Sequence, residues 1–248
     1  NFLSFNTSET LKQSSKILIL YTLLTFFIFV ILKIFDLRSL DSFNLAMTLI
    51  SSGGFIPVNN LSSIINTNTK EIVFSLTMLV SFFSIFLSYN LFFIKNKNIS
   101  FFQEDILLLI YFITLLIFFY LLFNFDYNFS VILLSLVSSI SNIGISLDQS
   151  PKNLSFIFLI LIIIGGSFFS TSSGIRLLKL YALFKFAINN LISHVKPKNI
   201  FLNKHFFLNI SFEKDEISRY FLSVLIFIIS LFILTSFLTI TGISLESS

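Results

Sequence analysis

Two short stretches set glycine beside hydroxyl or amide side chains inside a very apolar chain. They are Ser51-Ser52-Gly53-Gly54-Phe55 and Ser141-Asn142-Ile143-Gly144-Ile145. The chemistry they offer is that of the main chain. A dehydrated monovalent cation is stabilised when backbone carbonyls replace its water shell. Pointing successive carbonyls inward demands unusual backbone angles, which glycine adopts without a Cβ penalty. The simpler use of Gly54 and Gly144 is to close a turn. Recurrence favours the first use, because the two glycines stand 90 residues apart at the same place in a repeated pattern.

A third stretch is Gly165-Gly166-Ser167-Phe168-Phe169-Ser170-Thr171-Ser172-Ser173-Gly174. It interrupts an apolar run over residues 154–191. One straight helix there would reach roughly 57 Å, nearly twice the ~30 Å hydrocarbon core of a bilayer. Small hydroxylated residues favour helix poorly, and they can hydrogen-bond freed backbone groups. Such a segment inside a span is a candidate gate. Arg176 and Lys179 follow, one turn apart on one helix face. Charges at membrane depth are costly and point to function. Charges at the cytoplasmic interface simply snorkel.

The elements that must position these stretches are read from composition. Of 248 residues, 55% are apolar and 11% charged, against about 25% charged in an ordinary soluble domain. Phe supplies 36 residues, Gly 7, Pro 3, and Cys and Trp none; mean hydropathy is +0.94. Such a chain is no soluble enzyme, disordered tail, disulfide scaffold or zinc finger. The net charge of +4 sits mostly between apolar blocks, as in a membrane protein, and leaves no footprint for nucleic acid.

Apolar runs over 17–35, 72–94, 106–123, 154–164 continuing into 175–192, and 220–240 are read as spans. Runs over 43–50 and 129–140 are too short to cross. Each follows a span, ends in a glycine loop and precedes another span. Irregular backbone at membrane depth is tolerated where it lines a cavity or is buried in protein. The pattern is thus span, half-helix, loop, span, made twice, with a third copy beginning at Tyr220.

Orientation is read from the bases. With the loops outward, ten bases fall on the opposite side: Lys12, Lys16, Lys95, Lys97, Lys185, Lys196, Lys198, Lys204, Lys214 and Arg219. Four fall on the loop side: Lys33, Arg38, Lys70 and Lys152. The positive-inside rule then puts the loops outside and the N-terminus in the cytoplasm. Asp36, Asp41, Glu71, Asp126, Asp148 and Glu246 make the outer side net negative, which either concentrates cations or only solvates loops.

Catalytic motifs are missing from the sequence. It has no cysteine, no phosphate-binding glycine loop and no dinucleotide fingerprint. His194 and His205 lack partners at metal-ligand spacing. Glu213, Asp215 and Glu216 read as helix-start residues. An enzyme is not expected, nor a bound cofactor or resident metal.

The residues carry a family resemblance. The segment from Gly165 to Arg176 resembles the signature G-G-S-x-G-S-T-[AS]-G-G-I-K of the membrane subunit in the Trk/Ktr/HKT superfamily of potassium transporters. Gly165, Gly166, Ser167, Ser170, Thr171, Gly174 and Ile175 agree with it. Ser52-Gly53-Gly54-Phe55 resembles that family's second filter, T-G-G-F, and Asn142-Ile143-Gly144-Ile145 its third, T-T-G-F. The resemblance implies an all-α polytopic membrane protein with channel-like repeats and potassium as transported substrate. The ion filter would be Ser52, Gly53, Gly54 and Phe55 with Asn142, Ile143, Gly144 and Ile145. The gate would be Gly165, Gly166, Ser167, Ser170, Thr171, Ser172, Ser173 and Gly174, flanked by the charges Arg176 and Lys179.

It implies further that the chain is a fragment of a four-repeat pore. Residues 1–16 lead in from the cytoplasm, and 17–94 form the second repeat. Residues 95–105 link in the cytoplasm, and 106–192 form the third repeat, whose last helix is broken. Residues 193–219 make a basic cytoplasmic loop, and 220–248 begin a fourth repeat. It also implies a homodimer in the bacterial inner membrane with a cytoplasmic nucleotide-binding regulatory subunit. Departures are Arg176 for Lys, Lys179 for Arg, Phe169 and Ser173 for glycines, and Ile143 and Ile145 for Thr and Phe. The alternatives are a sodium-permeable member of the superfamily and a secondary transporter with broken helices. Inverted repeats of the latter kind fit less well than two loops returning to one side.

Overall fold

The structure, a computed structural model, describes residues 7–58, 60–83, 103–123, 127–147, 155–167, 170–195 and 214–241. Outside this description lie residues 1–6, 59, 84–102 with the second half of the 72–94 run, 124–126 with Asp126, 148–154 with Asp148 and Lys152, Phe168, Phe169, 196–213 with His205, and 242–248. Regular structure among the described residues is helical. The helices are α1 (Thr7–Ile34), α2 (Ser39–Ser51), α3 (Asn68–Phe82), α4 (Gln103–Phe123), α5 (Phe129–Ile140), α6 (Ser155–Ile164), α7 (Leu177–Val195) and α8 (Lys214–Ile240), with a 3-10 turn at Leu61–Ser63.

Among the described residues, three helices carry stretches long and apolar enough to cross a membrane: Ser14–Ile34, Glu104–Phe123 and Asp215–Ile240. Each covers about 30 Å or more at 1.5 Å per residue. Their apolar side chains stay largely exposed, as Phe26, Leu121 and Phe232 are at 64%, 70% and 74%. That is the surface a helix presents to lipid. The chain is therefore a multi-pass membrane protein. α2 and α5, with 13 and 12 residues, reach only about 18–20 Å and cannot cross.

The chain divides into two compact units, Asn1–Gly174 and Ile175–Ser248. In the first, α1 packs on α2 and α2 on α3; in parallel, α4 packs on α5 and α5 on α6. The two repeats are joined chiefly by α3 against α5. α5 is the centre of this unit, with every residue from Ser130 to Ile140 buried. A helix apolar on all sides belongs in such a place. α3 turns the stripe Phe74, Met78 and Phe82 inward, at i, i+4, i+8, and α2 does the same with Leu45 and Leu49. Lipid tails are as apolar as leucine, so these contacts hold by close packing rather than by transfer from water.

Aromatic pairs fasten helices within each repeat. Phe29 of α1 meets Phe43 of α2 edge-on at 6.4 Å, and Phe119 of α4 stacks on Phe158 of α6 at 5.7 Å. Several hydroxyls inside the helices donate to their own turns. Ser139 Oγ reaches the Ser135 carbonyl at 2.8 Å, and Ser75 Oγ the Glu71 carbonyl at 2.6 Å. That satisfies polar groups where no water reaches. In the second unit α7 and α8 pack on each other.

Two boundaries differ from the sequence reading. The apolar run over 72–94 is not one helix. α3 ends at Phe82, and Phe83 is extended at φ −77°, ψ 163°. The carbonyls this frees are taken by the 165–174 segment, as shown below. The last helix begins at Lys214, ahead of Tyr220, because Asp215 and Glu216 in its first turn suit the positive end of a helix.

Candidate functional site

The loops after α2 and α5 are geometric copies. Ser52 closes α2 in the left-handed region, at φ 51°, ψ 39°; Asn142 closes α5 at φ 57°. The Ser52 N–H donates to the Leu49 carbonyl at 3.4 Å and the Gly53 N–H to Thr48 at 3.0 Å. Ninety residues on, Asn142 N–H donates to Ser139 at 3.2 Å and Ile143 N–H to Ser138 at 3.1 Å. This is the Schellman closure. Asparagine visits the left-handed region routinely, whereas serine meets the usual cost of about 1–2 kcal/mol. Two residues on the backbone is left-handed again, at Gly54 (φ 71°) and Gly144 (φ 74°), while Gly53 and Ile143 between are not.

The two loops meet. A methyl group on Gly54 would lie 2.5 Å from the Ile143 carbonyl oxygen. Only a glycine, free of Cβ, allows that approach at that φ. Among the described residues, Gly144 has nothing within 4 Å of the equivalent position. Side chains differ at matching places. Phe55 is 81% exposed, and its N–H is held by Thr48 Oγ1 at 3.1 Å; Ile145 is buried at 3% and Ile143 at 2%.

The 165–174 segment leaves α6 and folds back on itself. Gly165 and Gly174 form its neck. Both are left-handed, at φ 68° and 98°, and a Cβ on Gly174 would lie 2.9 Å from Gly165 Cα. A Cβ on Gly165 would run into the Ser173 carbonyl. Hydroxyls hold the segment's interior. Ser172, fully buried, accepts from the Gly166 N–H at 3.0 Å, and its Oγ lies 2.8 Å from that of Ser170. Ser170 Oγ donates to the Ser167 carbonyl at 2.8 Å.

The segment is stitched to the end of α3. Ser167 N–H donates to the Phe82 carbonyl at 3.1 Å, and Ser172 N–H to the Ser81 carbonyl at 3.2 Å. Thr171 Oγ1 reaches the same Ser81 carbonyl at 3.4 Å. The last carbonyls of a helix lack intrahelical partners, and here a second helix break supplies them.

The segment also touches both loops. Asn142 Nδ2 donates to Ser173 Oγ at 2.7 Å. Ser52 Oγ lies 3.5 Å from Thr171 Oγ1, the outer limit of a hydrogen bond. The structure thus brings together Ser52, Gly54, Asn142 and Ile143 with Gly165–Gly166, Thr171 and Ser173. Arg176 and Lys179 belong to the second unit, at the start of α7. Arg176 is left-handed, at φ 80°, and its carbonyl accepts from the Lys179 and Leu180 N–H groups at 3.1 and 3.4 Å.

Sequence reasoning passed over Ser81, Phe82 and Thr48. The first two act through main-chain carbonyls inside an unbroken apolar run, which leaves only the serine as a signal. Thr48 sits one turn before its loop, where its hydroxyl can reach the Phe55 N–H. Among the described residues no cluster of three or more His, Cys, Asp or Glu side chains could hold a metal ion.

No described protein family matches the sequence, and no curated protein matches it. Among solved structures, the chain is similar to the crystal structure of the potassium transporter TrkH from Vibrio parahaemolyticus. The TM-score is 0.71 at 18% identity, over 97% of this chain and 52% of that one. The chain spans about half the length of that transporter and shares its fold over that half.

Proposed function

We propose that the chain forms part of a membrane pore for monovalent cations, with potassium as the main transported ion. The observation that carries this is the pair of loops with the same backbone trace, brought face to face at Gly54 and Ile143. A left-handed residue at every second position is a means of turning successive carbonyls to one side of a chain. Carbonyls so turned replace the water shell of a cation. The negative ends of α2 and α5 close on these loops and favour positive charge there. Ser52, Gly53, Gly54 and Phe55 with Asn142, Ile143, Gly144 and Ile145 are the residues of the filter. The likeness to a potassium transporter over 97% of the chain supports the same reading.

The 165–174 segment is the gate in this reading. It contacts both loops and is held by hydrogen bonds that can be broken singly. Arg176 and Lys179 follow it in sequence. The loops face outward, on the ten-to-four distribution of bases. Two repeats make half of a four-repeat pore, in keeping with the 52% of the transporter that the chain spans. The pore would sit in a bacterial plasma membrane as a homodimer with a cytoplasmic nucleotide-binding subunit.

The test is uptake of rubidium-86 and sodium-22 at low external potassium. The host is a bacterial strain lacking potassium uptake, expressing the chain within its full reading frame. Rubidium uptake by the wild type that is abolished by Gly144→Asp is expected. Protein present in the membrane with its regulatory subunit supplied, yet carrying no rubidium, would refute potassium transport. Sodium uptake alone would reassign the ion.

A further inference from the structure

We propose that Asn142 and Ser173 form a latch between the loop after α5 and the 165–174 segment. Through it the shape of the ion-coordinating loop and the opening of the pore change together. This rests on the pore reading above and adds to it the residues that couple its two parts.

The latch is the 2.7 Å hydrogen bond from Asn142 Nδ2 to Ser173 Oγ. It joins positions 31 apart in sequence. Turning the amide over preserves it, with Ser173 then donating to Oδ1. As placed, Asn142 Oδ1 is buried without a hydrogen-bond partner. The amide therefore has one hold among the described residues, and that hold is the segment.

Each side of the latch is tied to rigid backbone. Asn142 is the left-handed residue that closes α5, and the next carbonyl, of Ile143, is the one pressed against Gly54. A change at Asn142 is thus passed to the contact between the two loops. Ser173 precedes Gly174, which is packed against Gly165 at the neck. A segment that swings at its neck carries Ser173 with it. Among the described residues the other repeat offers the 3.5 Å approach of Ser52 to Thr171, so the stronger hold lies at Asn142.

The strength of the hold suits a device that must release. Ser173 is exposed, so water competes for its hydroxyl. A net gain at the lower end of the usual range corresponds to about a two- to fivefold bias toward the latched state.

The experiment uses the full-length protein in lipid vesicles. It measures rubidium flux and the rubidium-to-sodium permeability ratio. Variants are Asn142→Ala, Ser173→Ala, both together, and Ser173→Thr, which keeps the hydroxyl. Each single alanine variant is expected to raise resting flux about two- to fivefold and to lower the ratio. The double variant should do no more than the larger single, and Ser173→Thr should stay near wild type. Damage to the fold alone would lower flux and would not raise it.

A second readout uses the full-length protein with any cysteine outside this chain replaced by serine, since this chain itself has none. Asn142→Cys with Ser173→Cys, bridged by a short bis-thiosulfonate reagent, should block flux until dithiothreitol restores it. Flux and ratio unchanged in the alanine variants, independent effects in the double variant, or a bridge that leaves flux intact would each overturn the latch while the pore reading stands. A wild type that carries neither ion overturns the pore reading and the latch with it.

Discussion

Gly54→Ala and Gly144→Ala separate the cost of a backbone angle from the cost of a close contact. Both glycines are left-handed, at φ 71° and 74°, so alanine costs about 1–2 kcal/mol at either site. Their surroundings differ. At Gly54 the new methyl would lie 2.5 Å from the Ile143 carbonyl oxygen. Carbon and carbonyl oxygen rest at roughly 3.3–3.6 Å, so the two loops must part by about 0.8–1.1 Å. The clash is backbone against backbone, and no rotamer relieves it. Overpacking of this kind costs a further 1–3 kcal/mol or so. Gly54→Ala should therefore lose roughly 2–5 kcal/mol and Gly144→Ala about 1–2 kcal/mol. The assay is unfolding of the purified chain in detergent by titration with sodium dodecyl sulfate, followed by far-ultraviolet circular dichroism. Equal losses at the two sites would refute the face-to-face placement of the loops.

Three further outcomes are expected. Ser172→Ala removes the acceptor of the buried Gly166 N–H and one partner of Ser170; it should cost about 1–3 kcal/mol and speed hydrogen exchange at the Gly166 amide. Arg176→Gly should be more stable than Arg176→Ala by about 1–2 kcal/mol, because both lose the side chain and only glycine relieves φ 80°; comparing the two in the same detergent titration checks this. For orientation, Thr67→Cys at the head of α3 should react with a membrane-impermeant thiol reagent on whole cells. Ser218→Cys in the first turns of α8 should react only after the cells are opened, and the reverse pattern would invert the topology.

The membrane class, the helical fold and the placing of the short helices could be read from sequence. An apolar run either has enough residues to cross lipid or has not, and runs 43–50 and 129–140 have not. Gly54 and Gly144 could be read as equivalent from their 90-residue spacing alone, because a repeated supersecondary unit repeats its backbone needs. The Gly165–Gly174 stretch announced a helix break by its small hydroxylated residues.

Tertiary structure decided what those stretches touch. Nothing in the run 72–94 marks Phe83 as extended, since a phenylalanine fits a helix as well as a loop. The break exists because the Ser81 and Phe82 carbonyls gain the Ser172 and Ser167 N–H groups as donors, and those donors come from about 90 residues away. Sequence likewise treats Gly54 and Gly144 alike, yet among the described residues Gly54 meets a carbonyl and Gly144 does not. Local propensity depends on neighbours along the chain. Contacts between loops depend on how whole helices pack, and that packing brings Asn142 to Ser173.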